Sequence, residues 1–132
     1  MSILDRLRKK FTKPSQLSST QRIGDAAEER ALQFLKTQGL TLLQRNFRCR
    51  GGEIDLIMQE HATLVFVEVR QRSSRSHGGA LVSVTPAKQK RLLIAAQLYL
   101  QRYQNVPACR FDVVAYDGLQ RQWIKNAIEA QA

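Results

Sequence analysis

Between about Thr20 and Gln38, apolar side chains return at three- and four-residue steps, at Ile23, Ala27, Ala31, Phe34 and Leu35. That period gathers them on one face of a helix and leaves polar residues on the other. Gly39 follows where a helix is closed by a residue that tolerates positive φ. The period then changes. Leu40 to Arg48 reads as a strand, Arg50-Gly51-Gly52 as a turn, and Glu53 to about Gln59 as a second strand. A short turn at Glu60-His61-Ala62 predicts a hairpin into a third strand, Thr63 to Gln71. Thr85 suits an N-cap and Pro86 a first helical position. A second helix is therefore expected down to about Tyr103, burying Leu92, Leu93, Ala96, Tyr99, Leu100 and Tyr103, and Asn105-Val106-Pro107 ends it. Cys109 to Tyr116 reads as another core strand, Asp117-Gly118 as a turn, and Gln122-Trp123-Ile124 as a short final strand. The order α-β-β-β-α-β, with that extra strand, predicts an α/β fold in which helices flank a mixed β-sheet in layers.

Residues 1–19 break from this pattern. Ile3, Leu4, Leu7 and Phe11 share a helical face among basic residues, and Pro14 with its Ser/Thr/Gln neighbours reads as a linker. The expected organisation is a basic, flexible N-terminal arm over 1–19 and one α/β domain over 20–132. A second basic segment, Arg-Ser-Ser-Arg-Ser-His-Gly-Gly at 72–79, reads as a loop able to lie along a phosphate backbone.

Two acids interrupt the most apolar strands: Asp55 in Glu53-Ile54-Asp55-Leu56-Ile57-Met58 and Glu68 in Leu64-Val65-Phe66-Val67-Glu68-Val69-Arg70. A carboxylate placed in a core strand costs on the order of several kcal/mol unless a cation or strong donor meets it. Alternation puts Ile54, Leu56 and Met58 on one face of the second strand and Glu53, Asp55 and Ile57 on the other; Glu68 shares a face with Phe66 and Arg70. A tight hairpin would then bring Asp55 and Glu68 together. Two such carboxylates suit Mg²⁺, which keeps several waters and completes its shell with substrate phosphate. Arg70, on the face of Glu68, stands where a cation stabilises charge on a reacting phosphate. Taken singly, each acid has a plainer reading. Asp55 serves as a solvated edge acid, Glu68 as a partner of Arg70 or Arg110, Glu28 as an exposed helix acid paired with arginine, Glu53 as hairpin support, and Asp112 as a structural hydrogen-bonding group.

Composition sharpens the choice of partner. The 132 residues, 43% hydrophobic and 24% charged, suit one globular core. Lys and Arg number 21 against 11 Asp and Glu, a net charge of +10 that points to nucleic acid. Arg72, Arg75, Lys88, Lys90 and Arg91 cluster after Glu68 and at the start of the second helix, and phosphate contact is expected there. No apolar run approaches transmembrane length and residues 1–20 lack a secretory signal, so a cytoplasmic address without a membrane span is expected. Cys49 and Cys109 form no paired motif, and His61 and His77 lie in turn-like surroundings, which leaves little material for a zinc site or a Ser-His-Asp triad.

A resemblance joins these features. Gly24-x-x-x-Glu28-x-x-Ala31, Arg45-Asn46-Phe47-Arg48, Gly52-Glu53-Ile54-Asp55-Leu56-Ile57, Val65-Phe66-Val67-Glu68-Val69-Arg70-x-Arg72, Gly78-Gly79 and Arg110-Phe111-Asp112 together resemble the YraN-type uncharacterised bacterial family. That family is similar to the PD-(D/E)XK nuclease superfamily, notably to archaeal-type Holliday junction resolvases. The resemblance implies a restriction-endonuclease-type core and hydrolysis of phosphodiesters in structured or branched DNA with Mg²⁺ or Mn²⁺. It assigns Glu28, Asp55, Glu68 and Arg70 to the catalytic site, with Asp55 and Glu68 on the metal. Cleavage of both strands of a junction would call for a symmetric homodimer.

The chain departs from the superfamily at Arg70, which stands in the place of a lysine. Arginine stays protonated at ordinary pH, so it stabilises charge and cannot act as a base. Three readings follow: hydrolysis proceeds without that lysine, Lys88 or Lys90 reaches the site from the second helix, or hydrolysis has been lost and a nucleic-acid-binding module remains. An adaptor acting through the basic N-terminal arm is the further alternative.

Overall fold

The chain passes from its first helix into its first strand at Gly39, and backbone hydrogen bonds account for the stop. Leu40 N–H donates to the Leu35 carbonyl (3.1 Å) and Gly39 N–H to that of Lys36 (3.1 Å). This Schellman closure uses the left-handed φ of +95° that Gly39 adopts. The computed structural model describes residues 19–72 and 84–128. In chain order they form α1 (Ser19–Thr37), β1 (Thr41–Cys49), β2 (Gly52–Glu60), β3 (Thr63–Arg72), α2 (Pro86–Leu100), β4 (Cys109–Asp117) and β5 (Gln120–Ile124). The order read from the sequence is observed, final strand included. Of the arm expected over 1–19, residues 1–18 lie outside the described residues and Ser19 already belongs to α1; residues 73–79 of the basic loop, Arg75 and the Gly78-Gly79 pair among them, also lie outside them.

One sheet runs in the order β1-β2-β3-β4-β5. Pairing is antiparallel except between β3 and β4, which are parallel over Leu64↔Cys109 to Arg72↔Asp117. A parallel pair needs a long crossover, and α2 lies within it. The two helices cover opposite faces. Ala27, Ala31, Leu32 and Leu35 of α1 pack on Leu56, Met58, Val65, Val67 and Val114. Leu92, Ala95, Ala96 and Tyr99 of α2 pack on Ile54, Ile57, Leu64, Phe66 and Val113. This explains the near-continuous apolar run of β3, which is paired on both edges and covered on both faces. Burying each of Leu32, Leu35 and Leu92 contributes about 1.5–3 kcal/mol. The α1 stripe differs slightly from expectation: Leu32 is buried, whereas Phe34 is half-buried and stands edge-on to Trp123 at 5.7 Å.

Strict alternation fails in β2. Ile54 was expected beside Leu56 and Met58, but it joins Ile57 in the layer under α2, while Leu56 and Met58 face α1. The slip falls at Asp55. On the neighbouring strand Asn46 lies between the pairs Arg45↔Leu56 and Phe47↔Ile54 and adopts φ +51°, a left-handed conformation that asparagine tolerates. The change of face therefore falls where Asn46 turns left-handed between those pairs, while the register shift of the ribbon lies between Leu42 and Gln44. At the start of β2, a Cβ on Gly52 would meet the Arg91 carbonyl oxygen at 2.4 Å, so glycine permits the contact between this strand and α2.

Asp112 acts as a structural residue, in line with its plainer reading. It is fully buried and accepts from Arg110 Nε (3.0 Å), Trp123 Nε1 (3.0 Å) and the Asn126 backbone N–H (2.9 Å). Arg110 continues to Glu60 at 2.8 Å, which ties β2, β4, β5 and the C-terminal segment together. Among the described residues no helix is long and apolar enough to cross a membrane. Removing the Asp112 carboxylate takes a partner from the part-buried Arg110 guanidinium, which keeps only Glu60, and from an indole N–H and an amide. Asp112→Ala is expected to lower the free energy of unfolding in urea by about 3–5 kcal/mol, and a change under about 1 kcal/mol would contradict this account.

Candidate functional site

The ladder between β2 and β3 runs from Glu60↔Thr63 to Leu56↔Val67. One residue further on, the Asp55 side chain takes the place of a backbone partner: its Oδ2 accepts the Val69 N–H at 2.8 Å. The strands part there, at the carboxyl end of β3, where open α/β sheets commonly bind ligands. A hollow of about 260 Å³ opens in the fork. Gly24, Ala27 and Glu28 line it from α1, Glu53 and Asp55 from β2, Glu68 to Gln71 from β3, and Lys88 from the first turn of α2.

Four acids, Glu28, Glu53, Asp55 and Glu68, thus reach one place from three elements. Glu68 is 7% exposed, and its Oε1 lies 3.2 Å from Arg70 Nη1. Burial and then the charge of Asp55 push the Glu68 carboxyl up to about 8, against the opposing pull of Arg70 and Lys88. Burial and Asp55 likewise push Glu28 up to about 7. Asp55 is also raised by burial, but the Val69 amide and hydrogen bonding to Glu68 and Glu28 work the other way. Asp55 is therefore the central acceptor, flanked by two carboxyls that retain protons near neutrality. Glu28 Oε2 is buried without a hydrogen-bond partner.

These features fit a cation. An orphaned buried oxygen and adjoining acids with suppressed ionisation are relieved by positive charge. The arrangement is a row with Asp55 in the middle, and among the described residues no three His, Cys, Asp or Glu side chains form a ready-made metal-binding group. The acids suit an ion held by one or two carboxylates and completed by water and phosphate, as Mg²⁺ is.

Of the residues expected at the site, Glu28, Asp55, Glu68, Arg70 and Lys88 line the hollow. Glu28 is separated from its neighbour Glu29, which points elsewhere and pairs with Arg45 at 2.7 Å. Arg91 lies in a small recess beside the hollow with Glu53, Glu68 and Lys88, and pairs with Glu53 at 3.6 Å. Lys90 is exposed and lines neither space; Arg72 ends β3, and its carbonyl accepts the Gly118 N–H at 2.8 Å. Arg75 lies outside the described residues. The sequence reading missed Gln71 and treated Glu53 as hairpin support, whereas both line the hollow. The two-residue spacing of Glu53 and Asp55 was a signal for the latter.

The sequence model of the uncharacterised protein family UPF0102 matches residues 27–116, a span containing Glu28, Asp55, Glu68, Arg70 and Lys88. The chain is similar to the UPF0102 protein HEAR0176 of Herminiimonas arsenicoxydans, 58% identical over 113 residues that cover 86% of this chain and 91% of that protein. A UPF0102 protein of Janthinobacterium sp. (strain Marseille) is 60% identical over 113 residues, covering 86% and 92%. The UPF0102 protein H16_A3579 of Cupriavidus necator is 54% identical over 123 residues, covering 92% and 94%.

The raised carboxyls make stability depend on pH. Unfolded, Glu28 and Glu68 release protons near their ordinary value of 4.5; folded, they hold them to about 7 and 8. The native state binds the extra protons in that window, so the stability these groups contribute falls as pH rises from about 4.5 to 8. Without divalent cations, Glu68→Gln is expected to flatten this decline and, at pH 8.5, to exceed the wild type by at least about 1 kcal/mol in urea unfolding. Parallel pH profiles for the two proteins would contradict it.

Proposed function

Since the chain belongs to the uncharacterised protein family UPF0102, we propose its function from the chemistry of the hollow: divalent-cation-dependent hydrolysis of phosphodiesters in structured or branched DNA. The observation that carries this reading is the convergence of Glu28, Asp55 and Glu68 on one hollow with Arg70 and Lys88 at its wall. Acids beside bases suit a site that takes up a cation and a phosphate together. The order of elements, and the position of the acids at the carboxyl end of β3, support a restriction-endonuclease-type core of the PD-(D/E)XK kind.

In this reading Asp55 and Glu68 hold Mg²⁺ or Mn²⁺, and Glu28 supports Asp55 from α1. When bound, the ion supplies Lewis-acid polarisation of the phosphate and a more acidic water. Val69 N–H fixes the Asp55 carboxylate at 2.8 Å, which limits reorganisation during the reaction. Arg70, tethered to Glu68, stays charged and offers its guanidinium to the phosphate oxygens. Lys88 enters from α2 and lines the hollow beside the acids. That makes Lys88, rather than the exposed Lys90, the candidate for the role that a lysine at position 70 would have filled. A net charge of +10 supplies attraction to the DNA backbone that weakens with salt.

A second reading, nucleic-acid binding without hydrolysis on the same fold, is favoured by one observation: arginine occupies position 70. Incubation with branched, single-stranded and duplex DNA in Mg²⁺ or Mn²⁺ separates the two. Hydrolysis predicts cleavage by the wild type and a loss of about 100-fold or more in Asp55→Asn. Binding without cleavage by either protein would leave the second reading, and equal cleavage by both would mean a contaminating nuclease. Cation binding has its own readout: at pH 8, Mg²⁺ or Mn²⁺ is expected to raise the melting temperature of the wild type and leave Asp55→Asn unmoved.

A further inference from the structure

The outer side of α1 carries a feature that the acid hollow does not use. A groove of about 790 Å³ runs between α1 and the β4–β5 hairpin, within the size range of ligand sites and lined mostly by apolar atoms. Two arginines sit over aromatic rings along it. The Arg30 guanidinium carbon is 4.2 Å from the Tyr116 ring centre, and that of Arg121 is 3.7 Å from the Phe34 ring centre. Leu119, 97% exposed in the hairpin turn, also lines the groove. Its acid, Glu29, is already engaged by Arg45 at 2.7 Å and Gln33 at 2.9 Å, so the charge left to the groove is positive. Arg30 also donates to Gln71 Oε1 at 3.2 Å, and Gln71 lines the acid hollow, so the two sites share a wall.

We infer that this groove binds an unpaired nucleotide of the nucleic acid whose backbone reaches the acid hollow. A guanidinium held over one ring can take a second planar group beside it, and nucleobases stack on arginine planes and aromatic rings alike. The attached phosphate supplies the negative charge the groove lacks. A second copy of this +10 chain would instead bring like charge to it. The inference rests on the nucleic-acid reading above and deepens it: a fold that cuts structured DNA gains selectivity by holding a base outside the duplex.

The test is fluorescence anisotropy of the full chain in EDTA, with a labelled single strand of about twelve nucleotides and a blunt duplex of equal length. Leu119→Glu places an acid at an exposed position and leaves the core untouched; Arg121→Lys keeps charge and loses the planar face. Each is expected to weaken single-strand binding by roughly tenfold, as the loss of one stacked base does, and to leave duplex binding nearly unchanged. Equal losses on both probes, or none on either, overturn the inference. Wild-type binding of the duplex alone, or of neither probe, overturns it, while the phosphodiester reading stands or falls separately by the cleavage assay on branched DNA in Mg²⁺ or Mn²⁺. A wild type that sediments as a dimer and becomes monomeric in Leu119→Glu, with single-strand affinity intact, assigns the groove to a second copy and also overturns it.

Discussion

The hydrogen bond from the Val69 amide to the Asp55 carboxylate organises the site. Where β2 and β3 part, that amide would lose its backbone partner inside a nearly dry region, a loss of about 1–3 kcal/mol. Asp55 meets the need and is itself held at the fork by doing so. The ladder ends, the strands separate, and the hollow has its floor. Burial, and then the fixed carboxylate they face, drives Glu68 and Glu28 to keep their protons. The end of the ladder, the hollow and part of the suppressed ionisation meet at this one contact.

Asp112 shows what the chain does when a buried acid serves only the fold. It is as deeply enclosed as any residue in the core, yet a guanidinium, an indole and an amide satisfy it. Glu28 and Glu68 are instead set against another acid, and one oxygen of Glu28 is left without a partner. The contrast between a satisfied acid and an opposed group separates a residue of the architecture from a candidate site. Arg70 and Lys88 soften the frustration at Glu68 without removing it.

Much of this was legible in the chain. Helices and strands fall within a few residues of their expected bounds, because periods of 3.6 and 2 carry directly into buried faces. The pairing of Asp55 with Glu68 followed from hairpin geometry. Glu28 did not: beside Glu29 on an amphipathic helix the two acids look alike, and a motif resemblance alone chose between them. The face of Ile54 differs from expectation because alternation assumes an unbroken pleat, and the strand changes face beside the left-handed Asn46. Lys88 and Lys90 were equivalent in sequence, and the rotation of α2 about its axis distinguished them.

The sequence by itself determined the order of elements, the acids buried in apolar strands and the excess of positive charge, since each depends on neighbours within a few positions or on composition alone. Only the tertiary structure decided which buried acid is satisfied and which is opposed. Asp112 meets an indole and an amide more than ten residues away, and Asp55 meets an amide at a similar remove and an acid from another element. The fate of a charge in a low-dielectric interior depends on what lies within a few ångströms of it, and such distances arise only when β2, β3 and the two helix starts come together.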